Sequence, residues 1–202
     1  WHDESRIAAR RLVAILKTNR KIILDGEVNE AEWRDATEIT GLVVWGDEHS
    51  GSRLLAKEQT RFYVTYDDAN LYVAMVSPTP DKVKNDPHMT AGMGGLLKTT
   101  KGGHDTDVEA DDAFEMDVVI PQRDGDLYRY VVNGINTTYD YTTGGYSPEC
   151  VLKGIDLNWE PKWQVVANKV DMEKGWRAEA RLPFSDLRAP VPKPGVSWGM
   201  NF

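Results

Sequence analysis

The chain has 202 residues, 41% hydrophobic and 28% charged, with a formal charge of −8 at pH 7. That is enough apolar material for one sizeable core; the acidic balance argues against nucleic acid, whose phosphates demand basic patches, and against an anionic membrane surface. The single Cys150 excludes an intrachain disulfide, and no apolar run approaches the ~20 residues a membrane-spanning helix needs.

Residues 1–20 read as an N-terminal helix or linker ahead of the main domain. Over 3–18, Ala8, Leu12, Ile15 and Leu16 fall on one helical face, and Asp3 and Glu4 sit at the end where the helix dipole favours negative charge. The chain begins at Trp1, and we read it as a mature or internal piece of a longer protein. Residues 22–33 then run I-I-L-D-G-E-V-N-E-A-E-W. A short apolar run meets an Asp25-Gly26 turn, and Asn29 is placed to cap one helical turn that returns Trp33 to that run.

From Lys21 onward the hydrophobic period becomes two, the strand signal. Phe62, Val64 and Tyr66 alternate with Arg61, Tyr63 and Thr65, and Asp67-Asp68-Ala69-Asn70 turns into a second strand over 71–76. Phe114, Met116, Val118 and Ile120 share one face opposite Glu115 and Asp117. Trp176, Ala178, Ala180 and Leu182 alternate with Arg177, Glu179 and Arg181, where a one-residue slip would bury three charges. With strands over 128–133, 163–169 and 196–202, at least seven strands joined by turns predict an all-β, antiparallel, jelly-roll-like sandwich. Two long loops interrupt it, over 77–112 and 137–158.

The acidic segment 104–112 concentrates oxygen ligands. If extended, it points Asp105, Asp107, Glu109 and Asp111 one way, a candidate calcium site. The EF-hand pattern fails, since Ala110 takes the glycine position and Met116 the final glutamate position. Catalytic signals are poor: the four histidines are scattered, with neither H-E-x-x-H nor G-x-S-x-G, and the chain reads as non-enzymatic. Asn136-Thr137-Thr138 fits the glycosylation triplet.

Several segments stand together in order: Leu24-Asp25-Gly26 with Glu30-Ala31-Glu32-Trp33; Gln59 to Val64 leading to Tyr66-Asp67-Asp68-Ala69-Asn70-Leu71-Tyr72-Val73-Ala74; Asp111 to Met116; Gly175 to Glu179 leading to Leu182-Pro183-Phe184-Ser185-Asp186-Leu187; and Pro194 to Phe202. Over residues 21–202 this succession resembles the family 9 carbohydrate-binding modules, within the broader DOMON-like β-sandwiches. The resemblance implies a site at one edge of the sandwich, where two aromatic rings clamp a terminal sugar and polar groups bond its hydroxyls. It also implies structural calcium. Trp33, Trp176 and Trp198 belong to the recurrent framework and are expected in the core.

Glu115 matches the glutamate of the family's Asp-x-x-Glu strand motif. The chain departs from the family elsewhere. No aromatic stands in Val108-Glu109-Ala110-Asp111, where the first clamp tryptophan is expected. The arginine position of the next strand holds Val131, with Arg129 near. The second aromatic falls beyond Phe202, so the domain reads as truncated there, with another segment or chain covering the C-terminal edge strand. Trp159, Trp45, Tyr139, Tyr141 and Tyr146 are the candidate replacement aromatics.

The resulting expectation is non-catalytic binding of a polysaccharide or oligosaccharide, within an exported polysaccharide-acting protein that is secreted, periplasmic or at the cell surface. The alternative is a structural or interaction sandwich that has lost the sugar site. A third reading is a haem-binding relative using His88, Met89, Met93 and His104.

Overall fold

The computed structural model describes residues 12–29, 31–42, 55–78, 101–120, 126–144, 154–171 and 175–202, and for 169–171 the backbone alone. Two antiparallel sheets face one another. One has the order β1 (Thr37–Ile39), β2 (Arg61–Tyr66), β3 (Asn70–Ser77), β8 (Gly175–Pro183), β7 (Gln164–Asp171). The other has the order β6 (Thr138–Thr143), β5 (Asp126–Asn133), β4 (Ala113–Ile120), β9 (Gly199–Asn201). The all-β sandwich expected from the period-two alternation is therefore the observed fold.

The same alternation builds the core. Phe62 and Val64 of β2, Val73 and Met75 of β3, and Ala178, Ala180 and Leu182 of β8 face Phe114, Met116 and Val118 of β4 and Tyr128, Tyr130 and Val132 of β5. The β2–β3 hairpin turns where expected. Asp67 Oδ1 accepts from the backbone N–H of Ala69 and of Asn70, both at 2.7 Å, and Tyr72 donates its hydroxyl to Oδ2 at 2.8 Å.

Residues 22–33 cover the outer face of the five-stranded sheet. Ile22 and Trp33 pack there against Tyr72 and Ala74. Asn29 caps as anticipated: its Oδ1 accepts from Glu32 N–H at 3.1 Å, ahead of a single 3-10 turn, Trp33–Asp35. Glu179, which alternation places away from the core, is fully buried beneath this segment. Its Oε2 accepts from the N–H of Asp25 (2.9 Å) and of Gly26 (2.7 Å), and its Oε1 from the Trp33 indole (2.7 Å).

Gly26 has φ +80°, and a Cβ there would stand 2.5 Å from the Asn168 side chain, which donates to the Gly26 carbonyl at 2.8 Å. Gly26→Ala therefore combines left-handed strain with a clash and a displaced hydrogen bond. The expected loss is about 2–4 kcal/mol in urea unfolding, where a loss under ~0.5 kcal/mol would contradict this account.

Three expectations are corrected. The helix over 3–18 is absent from its described part. Residues 12–18 are extended, Lys17 bridges Tyr66 in parallel, Thr18 N–H donates to the Tyr66 carbonyl at 2.8 Å, and Thr65 donates to the Leu16 carbonyl at 2.8 Å. Leu12 and Leu16, the intended apolar face, are 90% and 59% exposed; the backbone finds its partners along β2 instead. Residues 3–11 lie outside the described residues. Second, the loop expected over 137–158 contains β6. Third, Asn136 is no free glycosylation acceptor: its amide donates to the Ala167 carbonyl and accepts from the Ala167 N–H, both at 2.7 Å, tying the β5–β6 turn to β7.

Candidate functional site

β9 pairs with β4 only at Asp117, Val118 and Val119. Beside the start of β4, which β9 does not reach, lies a cavity of about 280 Å³, just below the usual range for small-molecule sites. Phe62, Met75, Phe114, Trp176 and Phe202 supply its apolar wall; Thr60, Ser77 and Glu115 supply its polar groups. Phe202 stacks on Phe62 with centroids 4.2 Å apart and planes 14° from parallel. Thr60 donates its hydroxyl to Ser77 Oγ at 3.0 Å. The buried Trp176 indole N–H has no hydrogen-bond partner among the described residues. Burial pushes the half-buried Glu115 carboxyl above its ordinary pKa, with the Arg129 charge pulling the other way. The wall thus joins aromatic side chains to a carboxyl group, which suits a ligand carrying both C–H surface and hydroxyls.

Arg129 is held elsewhere. It faces Asp117 across the β4–β5 register and donates from Nε to Oδ1 at 2.7 Å and from Nη2 to Oδ2 at 2.9 Å. Nη1 donates to Glu109 Oε1 at 3.0 Å and to the Tyr141 hydroxyl oxygen at 3.1 Å, while Tyr141 donates to Glu109 at 3.0 Å. This network occupies the outer face of the four-stranded sheet. Tyr141 is a buried strand residue rather than an exposed loop platform, because β6 sets it beside Arg129.

Trp159 is also a core residue, which removes it as a sugar platform. It is buried and packs on Tyr128 and Tyr130, with centroids 5.2 and 5.3 Å away. Trp33 and Trp176 are buried in the framework as expected, and Trp198 packs edge-on against Phe184. Trp45, Tyr146, His88, Met89 and Met93 lie outside the described residues.

The four acids offered as a calcium set are not brought together. Asp107 Oδ1 accepts from Glu109 N–H, Glu109 binds Arg129, Asp111 accepts from Asn133, and Asp105 turns to His104. The segment is not extended: it turns at His104–Asp105, where Asp105 has φ +60°, and again at Glu109–Ala110, so alternate residues do not share a face. These four acids do not fit one calcium ion. Among the described residues the candidate cation group is a different one, His104, Asp105 and Asp140.

In fold, the chain is a two-sheet antiparallel sandwich with an aromatic-walled cavity at one end. The solved structures similar to it include a family 9 carbohydrate-binding module from Caldicellulosiruptor kristjanssonii, seen in complex with cellotriose and with glucose. Both superpose with TM-score 0.52 at 17% identity, over 92% of this chain and 73% or 74% of the other. The resemblance drawn from the sequence motifs thus meets structural neighbours of that same family, and at this identity the likeness is one of fold. No protein-family model matches the sequence, and a comparison with curated proteins gives no match.

Proposed function

We propose that this chain is a non-catalytic carbohydrate-binding module that holds one sugar residue in the cavity beside Glu115. The observation that carries this reading is the wall itself: Phe62, Phe202 and Trp176 next to the half-buried Glu115 carboxyl group. A pyranose presents an apolar C–H face to such rings, and its hydroxyls supply hydrogen-bond partners for Glu115. Structures of a module of similar fold in complex with glucose and with cellotriose support the assignment. The wider proposal is a module of an exported polysaccharide-acting protein, secreted, periplasmic or at the cell surface, with a further segment or chain covering the edge of β9.

The test is a fluorescence titration with glucose, cellotriose and a broad glycan panel. Tryptophan emission should shift with a saturable ligand, Glu115→Gln should weaken binding at least about tenfold, and Trp176→Phe should weaken it by shrinking the aromatic wall. Stability should not follow. Burial raises the folded pKa of Glu115, so its stabilising contribution is complete below the unfolded pKa and lost as pH rises through the folded one. At pH 7, Glu115→Gln should therefore melt no lower than the parent. A flat titration across the panel would leave the structural-sandwich reading in its place, and unchanged binding in Glu115→Gln would put the sugar somewhere other than this cavity.

A further inference from the structure

A second site lies at the opposite margin of the sandwich, where β6 and β7 edge the two sheets. Asp140 of β6 turns inward toward that margin, and its residue is 1% exposed. Its Oδ2 accepts from the Trp163 indole N–H at 2.9 Å and stands 3.2 Å from His104 Nε2. Its Oδ1 is buried and has no hydrogen-bond partner among the described residues. His104 comes from the segment running along the β6 edge, fixed there by Thr106 N–H donating to the Thr138 carbonyl and Gly102 N–H to Thr137 Oγ1. Asp105 Oδ2 lies 3.0 Å from His104 Nδ1, and Glu160 Oε2 lies 3.8 Å from that nitrogen.

We propose that His104, Asp105 and Asp140 form a binding site for a divalent transition metal of the zinc type. One ligand atom from each residue lies within 4.8 Å of the other two. In a tetrahedral zinc site with bonds near 2.0–2.1 Å, ligand atoms stand about 3.3 Å apart, so Asp140 Oδ2 and His104 Nε2, 3.2 Å apart, already have ligand spacing, and Asp105 must turn from Nδ1 toward that side of the ring. An imidazole nitrogen with carboxylate oxygens selects zinc, cobalt or nickel over calcium or magnesium, which take oxygen ligands throughout. His104 and Asp105 are about 40% exposed at the side chain, which gives the ion an entry path and leaves the fourth position to water. With Nε2 on the metal beside Asp140, and Asp105 turned from Nδ1 to the ion, Nδ1 faces Glu160 Oε2 at 3.8 Å, and the Trp163 N–H fixes Asp140. Both are the outer partners that orient metal ligands. A buried carboxylate oxygen without a donor is costly, and a cation here supplies what the protein does not. The ion would also join the segment at 104–105 to the margin of both sheets.

The experiment uses the whole chain after EDTA treatment and dialysis. Zinc should bind with one site per chain and raise Tm by about 5–10 °C at a hundredfold excess over Kd. Cobalt(II) should develop the visible absorption of a tetrahedral site. His104→Gln and Asp105→Asn, both changes at partly exposed positions, should each weaken zinc at least about tenfold and remove the cobalt bands. Failure to bind zinc, zinc binding unchanged in both variants, or stabilisation by calcium alone would each overturn the assignment. The glycan titration is independent of all three results.

Discussion

Glu179→Ala should destabilise the domain by about 3–5 kcal/mol. The carboxylate accepts from two backbone N–H groups and one indole. Truncation leaves three donors buried without an acceptor, and an unmet buried group costs about 1–3 kcal/mol each after relaxation. The loss is large beside a total stability of about 5–15 kcal/mol. It should show in urea unfolding and in a red-shifted Trp33 emission, as residues 22–33 lift from the sheet. Glu179→Gln keeps one acceptor but turns an amide N–H₂ toward a donor, so about 2–3 kcal/mol is expected. A Glu179→Ala loss under ~1 kcal/mol would show that the opening segment is held by Ile22 and Trp33 packing alone. Burial is the foremost influence on this carboxyl and raises its pKa, with the Trp33 bond opposing. The carboxyl thus serves for the shape it fixes, as an acceptor at the base of a turn.

The scaffold was legible in the sequence wherever alternation had an apolar inner face. β2 and β4 fall on their expected residues because Phe62-Val64 and Phe114-Met116-Val118-Ile120 leave one register. β6 was hidden by the opposite pattern: its inward positions, Thr138, Asp140 and Thr142, are polar, while Tyr139 and Tyr141 face out. Its Thr-Tyr-Asp-Tyr-Thr-Thr run therefore resembles a loop by composition. The N-terminal stretch failed for a different reason. Helical spacing describes 3–18 well, but β2 offers backbone partners that a helix would forgo. Glu115 is singled out by a strand motif, while the residues that line the same cavity, Phe62, Trp176 and Phe202, come from three other strands or strand ends that no local signal joins. Glu179 shows the same limit, since alternation shows which face a charge takes and not which segment will cover it.

Arg129→Leu tests whether the arginine near the site is a ligand or a clamp. The guanidinium makes a two-point pair with Asp117, whose side chain is only 7% exposed, and also holds Glu109 and the Tyr141 hydroxyl. Removing it strands a nearly buried carboxylate, a change that costs about 3–5 kcal/mol in comparable pairs. For a chain of this length that lowers Tm by roughly 10 °C. The double variant Arg129→Leu, Asp117→Leu removes both charges and should recover most of the loss, because the pair's attraction largely offsets its own desolvation. A single-variant loss under ~1 kcal/mol, or no recovery in the double variant, would contradict the clamp. Sugar titration of the double variant then separates the two roles. If Arg129 acts only through the sheet, the restored fold binds glycan as the parent does. If it touches the sugar, binding falls although stability has returned.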